Sequence, residues 1–313
     1  MKWRDHSYWH ETVLAVLIAG LLIGAAVVDP PFTTWTTQVG LAADAWELAL
    51  LALPMTLIII AGGIDLSVGA TMALAAVVLG LTFEAGADPW LAAACGILAG
   101  MVCGAGNGLA VAKLKVHPLI VTLATLAAFR GVAEGISLGR PISGFPYSFT
   151  VLGTGTLAGM PIPGLIFALL ALVVGVLLAR TPSGLALHAM GHNPVAARYS
   201  GLPVARLTVA LYTLSGACAG LAAAIHVARR NTAKADLGSG LELDVITAVV
   251  LGGTSIFGGS GRIAGTLLGV LAIHETRTFV SWHWEREELN SIVVGVLLIA
   301  AVLLNRLVDR KAR

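Results

Sequence analysis

Apolar residues in this chain fall into long continuous runs, with the polar residues collected between them. Taking Gly, Pro and charge as punctuation marks off about ten runs: 12–28, 40–62, 66–83, 90–112, 118–137, 162–180, 207–228, 242–257, 263–280 and 288–305. Several reach the roughly 20 residues that a helix rising 1.5 Å per residue needs to cross about 30 Å of hydrocarbon. They do not alternate apolar and polar with period two, so they predict helices and not the strands of a barrel. A helix satisfies its own backbone donors and acceptors, which an open strand in lipid does not. The expected fold is an all-α polytopic membrane protein, one transmembrane domain over residues 1–313.

Composition agrees. The chain is 57% hydrophobic and 12% charged, with mean hydropathy +0.89, against about a quarter charged residues in soluble domains. A net charge of +2, spread over loops, excludes nucleic acid as a partner. Cys95, Cys103 and Cys218 sit inside apolar runs with no C-x-x-C pair, so they read as small apolar fillers and no metal site is expected. Lys2 and Arg4 before an apolar run have the layout of a signal peptide. No clear A-x-A site precedes Asp29, and a retained first membrane helix is expected. Ten crossings place both termini on one side. With the N-terminus inside, that side holds Lys113, Lys115, Arg180, Arg198, Arg206, Arg262 and the basic ends, about twice the Lys and Arg of the other side. This predicts N-in and C-in, although Arg229, Arg230 and Lys234 run against the rule.

Two Gly-rich breaks carry the candidate chemistry. Residues 60–69, IAGGIDLSVG, set Asp65 and Ser67 between two apolar runs. Unwound backbone at membrane depth needs protein or water around it, so a cavity is expected nearby; Asp65 would otherwise cap the following helix. Residues 241–261 begin with Glu242 and Asp244, continue through a short apolar segment of about sixteen residues and end in GGTSIFGGSG. So short a segment predicts a half-helix lining a solute site, with the alternative that the two acids only offset the helix dipole. Gly100, Gly104 and Gly108 recur every fourth residue, the spacing that lets two membrane helices approach closely, and Asn107 lies beside them. Thr122, Thr125, Phe129 and Arg130 share one run; Arg130 is the lone cation inside a run and could also anchor at the interface.

Two connections are long. Residues 138–161 are rich in Gly, Pro and aromatics and are expected outside; residues 181–206 are expected in the cytoplasm. In the latter, Asn193 is a helix cap with Pro194 at the first position, Ala196, Ala197 and Arg198 favour helix, and Gly201 stops it. A short capped helix on that face is a docking element. The GSGRIA stretch at 259–264 matches a relaxed dinucleotide fingerprint by chance, since no βαβ unit surrounds it. There is no phosphate-binding loop, no His-Glu-x-x-His and no nucleophile elbow, so the chain is not expected to be an enzyme or to hold a cofactor.

Four stretches together carry a family resemblance: AGGIDLSVGA at 61–70, HPLIVTLATLAAFRG at 117–131, GHNPVAARYSGLPVAR at 191–206 and the run from Leu241 to Gly269. They are similar to the permease subunits of ATP-binding cassette importers of the ribose, xylose, rhamnose and autoinducer-2 type. The resemblance implies a bacterial inner-membrane protein that pairs with a second permease chain, identical or sister. It implies two cytoplasmic ATPase subunits, where ATP and Mg would bind, and a periplasmic solute-binding protein. It also implies a coupling helix over Asn193, Pro194, Ala196, Ala197, Arg198, Tyr199, Ser200 and Gly201. A solute path would run near Asp65, Ser67, Asn107, Thr125, Phe129, Glu242 and Asp244. From the residues alone, an ion-gradient-driven secondary transporter with broken helices stays open.

Overall fold

The computed structural model describes residues 7–284 and 287–312; Lys2, Arg4, His6, Arg286 and Arg313 lie outside them. Each of the ten apolar runs contains helix, although 40–62 is divided at residues 42–45 and 242–257 leaves its helix after Leu251. In chain order these and the connecting helices are α1 Ser7–Val28, α2 Trp35–Leu41, α3 Trp46–Ile60, α4 Val68–Glu84, α5 Pro89–Lys113, α6 Pro118–Ser137 and α7 Tyr147–Thr154. There follow α8 Ile162–Arg180, α9 Pro182–His192, α10 Pro194–Tyr199, α11 Val204–Arg230, α12 Leu241–Leu251, α13 Ile263–Trp284 and α14 Glu287–Ala312. Among the described residues six stretches are long and apolar enough to cross a membrane: Glu11–Val28, Trp35–Ile60, Pro89–Lys113, Pro118–Ser137, Ile162–Arg180 and Val204–Arg230. Helix α4 is a shorter apolar helix, and α12 has only 11 residues.

Local chemistry sets many of these boundaries. Asp88, His117, Thr181 and Asn193 each accept a backbone N–H in the first turn of the next helix, and each is followed by Pro. Proline at that position gives up a donor that would have no helical partner and fixes φ for the first turn. Helix α3 is buried on every side from Glu47 to Ile60, which suits a helix that is apolar all round. It forms the centre of the core with α4, α11, α12 and α13. Helices α5 and α11 run antiparallel in close contact: a Cβ at Gly100 would lie 2.3 Å from the Gly216 carbonyl oxygen, and one at Gly104 2.0 Å from that of Tyr212. The small-residue stripe expected on α5 therefore has α11 as its partner.

Short strands and turns close the two ends of the bundle. At one end β1 Ile142–Ser143 pairs antiparallel with β4 Thr232–Ala233, while β2 Thr156–Leu157 and β3 Met160–Pro161 form a hairpin. Phe83 stacks on Phe145, which also meets Phe149 of α7 at a tilt, and the Asn231 side chain accepts the Phe145 N–H at 2.8 Å. At the opposite end the last carbonyl of α3, on Ile60, accepts the Gly259 N–H at 2.8 Å. The Gly259 carbonyl lies 2.9 Å from His188 Nδ1 on α9.

Candidate functional site

The first Gly-rich break, residues 61–67, separates α3 from α4 inside the bundle. Asp65 is buried there, and its carboxylate accepts hydrogen bonds from the Ser67 N–H at 3.0 Å, the Ser67 hydroxyl at 2.7 Å and the Ser215 hydroxyl of α11 at 2.9 Å. The Ser67 oxygen in turn accepts from Asn107 Nδ2 of α5 at 2.8 Å. The Ile64 carbonyl accepts from the Tyr212 hydroxyl at 3.3 Å and from Thr122 Oγ1 at 3.4 Å. One break is thus tied to α5, α6 and α11 through polar contacts, as freed backbone in a membrane requires. The N-cap residue of α4 is Ser67, whose side chain makes no capping bond. The Asp65 carboxylate makes a local turn to the Ser67 N–H and a long-range bond to α11, so it does more than start a helix.

The second break is longer than the sequence pattern indicates. Helix α11 ends at Asn231 in the left-handed region, and residues 232–240 then return along α4 without forming a helix. Ala233 lies against Gly80, and the Gly238 carbonyl occupies the space where a Cβ on Gly69 would stand, 2.2 Å away. Gly80 and Gly69 are eleven residues apart on α4, so this non-helical segment re-enters the bundle by roughly 16 Å. Arg130 Nη1 of α6 donates to the Ala235 carbonyl and to the Leu237 carbonyl, the latter at 2.7 Å. Gly240, with φ of 80°, turns the chain into α12. At the start of α12 the Glu242 carboxylate reaches Gly69, 2.7 Å from its would-be Cβ, so the two breaks meet at this point. The half-helix α12 then stops at Gly252 and Gly253, shorter than the sixteen residues expected.

The candidate path residues are therefore not equivalent. Asp65, Ser67 and Asn107 form one hydrogen-bonded group, with Glu242 one helix turn along α4 at Gly69. Phe129 packs with Leu74, Val77, Ala133 and Ala235, against the re-entrant segment. Thr125 donates to the Val121 carbonyl of its own helix at 3.0 Å. Asp244 is buried and ion-paired to Arg277 of α13, away from the meeting point. Sequence reasoning omitted Ser215 and Tyr212 from the site and left Arg130 between an interfacial anchor and a functional cation. The available signal was polar residues within otherwise apolar runs, which is a functional mark in a membrane helix.

On the connection between α8 and α11, the Asn193 carboxamide oxygen accepts from the Val195 N–H at 3.1 Å and the Ala196 N–H at 2.9 Å. Pro194 opens α10, the Ser200 hydroxyl donates to the Ala196 carbonyl at 3.0 Å, and Gly201 follows with φ of 83°. Ala197 alone turns inward, into the cluster of Leu187, Met190 and Val204. Val195, Arg198 and Tyr199 face out, Tyr199 being 90% exposed.

The sequence that builds this arrangement of interrupted helices and a capped helix matches a known family. Residues 38–302 match the family described as branched-chain amino acid transport system / permease component. The chain belongs to this permease family. The permease is 39% identical to the ribose import permease protein RbsC of Bacillus subtilis, over 91% of this chain and 89% of that one. It is 36% identical to the autoinducer 2 import system permease protein LsrD of Yersinia pseudotuberculosis, over 94% and 90% of the two chains. It is also 36% identical to the LsrD of Klebsiella pneumoniae, with the same coverage. No solved structure matches the permease. As a member of a transporter family with apolar, membrane-length helices, it is a multi-pass membrane protein and not an enzyme.

Proposed function

We propose that the permease forms half of the translocation path of an ATP-driven importer for a monosaccharide or a related small polar solute, in the bacterial inner membrane. The observation that carries this reading is the meeting of the two breaks at Gly69 and Gly238, with Glu242 beside them and the Asp65 group one turn away. Backbone and carboxylate groups at that depth give a polar solute hydrogen bonds that apolar helices withhold. The sugar and autoinducer names of the relatives support the solute class. In this reading the ten helical runs each cross or half-cross the membrane, with both termini inside. A second permease chain completes the path. Cytoplasmic ATPase subunits, which would hold ATP and Mg, seat against α10, and a periplasmic binding protein delivers solute.

Reconstitution tests this division of labour. Proteoliposomes with the permease, its ATPase and its binding protein are expected to take up radiolabelled solute only with ATP inside, and vesicles with the permease alone to take up none at any membrane potential. Uptake by the permease alone, driven by an ion gradient, would establish the secondary-transporter alternative instead. In the complete system Glu242→Gln is expected to lower uptake at least several-fold with normal assembly, since it removes the carboxylate at the meeting point and keeps its shape.

A further inference from the structure

Along the seam between α5 and α11, toward the α10 end, lies a groove of about 590 Å³ whose lining includes Met101, Val209, Leu214 and Ala217. Lys113 and Arg206 also line it. A second hollow of about 390 Å³ adjoins it through the shared Ala112 and Ala205, and its lining includes Lys115, His117 and Arg198. No Asp or Glu lines either hollow. Among the described residues, Lys113, Lys115, Arg198 and Arg206 form no ion pair. An apolar trough thus runs into a cluster of uncompensated cations.

That juxtaposition selects an occupant with an apolar tail and an anionic head. A sugar would leave its hydroxyls unmet in the trough. A soluble partner reaches only the mouth, because Ala217 lies thirteen residues into α11 from Val204, roughly 20 Å of helix. A second copy presenting the same patch about a two-fold axis would bring a surface with cations and no carboxylates against its like, and like charges oppose such a contact. Basic pockets between membrane helices are sites for anionic lipid head groups. We propose that the groove holds an anionic phospholipid of the leaflet on the α10 side, with an acyl chain along the α5–α11 seam and its phosphate between Lys113 and Arg206. Because α10 contributes Arg198 to the adjoining hollow, the head group also bridges the exposed helix to the bundle. This site is separate from the solute path and does not depend on the transport reading.

Lipid retention by the purified full-length permease tests the site, with phosphatidylglycerol and phosphatidylcholine offered in mixed micelles and bound lipid read by native mass spectrometry. The wild-type chain is expected to retain phosphatidylglycerol over phosphatidylcholine. Lys113→Gln with Arg206→Gln is expected to weaken phosphatidylglycerol binding roughly 30-fold, about five-fold for each cation, while Lys113→Arg with Arg206→Lys keeps it. Ala210→Trp, which fills the trough and leaves every charge in place, is expected to lower retention of both lipids. Equal retention of the two lipids by the wild type, or phosphatidylglycerol binding unchanged in Ala210→Trp, would overturn the proposal. So would an Ala210→Cys disulfide between two copies in membranes, which would make the groove a subunit contact. If the Gln pair fails to fold, the wild-type preference and the Ala210→Trp result decide the question by themselves.

Discussion

Arg130 is the residue whose placement most changes how the site works. A guanidinium at membrane depth costs about 3 kcal/mol unless its donors find partners, and Arg130 finds them in two carbonyls of the re-entrant segment. Those carbonyls, on Ala235 and Leu237, belong to backbone with no helical N–H to bond, so each side satisfies the other. The sequence leaves Arg130 open between an interfacial anchor and a functional cation, because the partner carbonyls are more than a hundred residues away along the chain. Arg130→Gln is expected to destabilise the purified permease by about 2 kcal/mol, the scale of hydrogen bonds to a charged group, and to abolish uptake in the reconstituted complex. Arg130→Lys is expected to fall between, since both bonds leave one nitrogen, Nη1, and an ammonium can donate twice but on a shorter stem that does not place it at the same point. Thermal unfolding and uptake measured on the same preparations check both; full uptake in Arg130→Gln would remove the clamp from the mechanism.

At the scale of elements, helices were legible and the path between them was not. Ten apolar runs each contain helix, since a run of that length in lipid has no other way to satisfy its backbone. The Asn193 cap, Pro194 and the Gly201 stop were equally readable, because caps depend on neighbours within one turn. Residues 232–240 carry no such local signal. Their course, a short strand followed by turns, is set by contact with Gly69 and Gly80 of α4 and by Arg130 of α6, all distant in sequence. The same limit applied to α10, whose residues looked alike as a docking helix until packing separated them. Ala197 is an anchor in the core and Tyr199 is a free surface. Ala197→Glu is therefore expected to destabilise the permease itself, by burying a carboxylate without a partner. Tyr199→Ala is expected to leave its unfolding temperature unchanged and to weaken ATPase binding at least ten-fold, in a pull-down with the purified ATPase. Unaltered binding by Tyr199→Ala would move the docking surface away from α10.

For the whole molecule, the question is which end of the bundle faces the cytoplasm, and the basic residues that seemed to contradict the charge rule bear on it. Arg229 and Arg230 lie at the end of the bundle that also holds β1, β4 and α7. There Arg229 is paired with Glu47 at 2.8 Å and with Asp44, and Arg230 with Asp44 at 2.9 Å. These pairs hold the two arginines in place but do not take them out of the orientation count, because the rule counts Lys and Arg and acidic residues contribute little to it. At the opposite end lie Lys113, Lys115, Arg198 and Arg206, and Lys and Arg near helix ends are what the positive-inside rule counts. The larger count at this end, with Arg229 and Arg230 against it, carries the expectation that α10 faces the cytoplasm and α7 the periplasm. In a chain whose Cys95, Cys103 and Cys218 are replaced by Ala, single cysteines at Tyr147→Cys on α7 and Tyr199→Cys on α10 report the two ends, both positions being more than 80% exposed. A membrane-impermeant maleimide added to right-side-out vesicles is expected to label the first and spare the second until the membrane is opened. Labelling in the reverse order would invert the topology and take the ATPase contact away from α10.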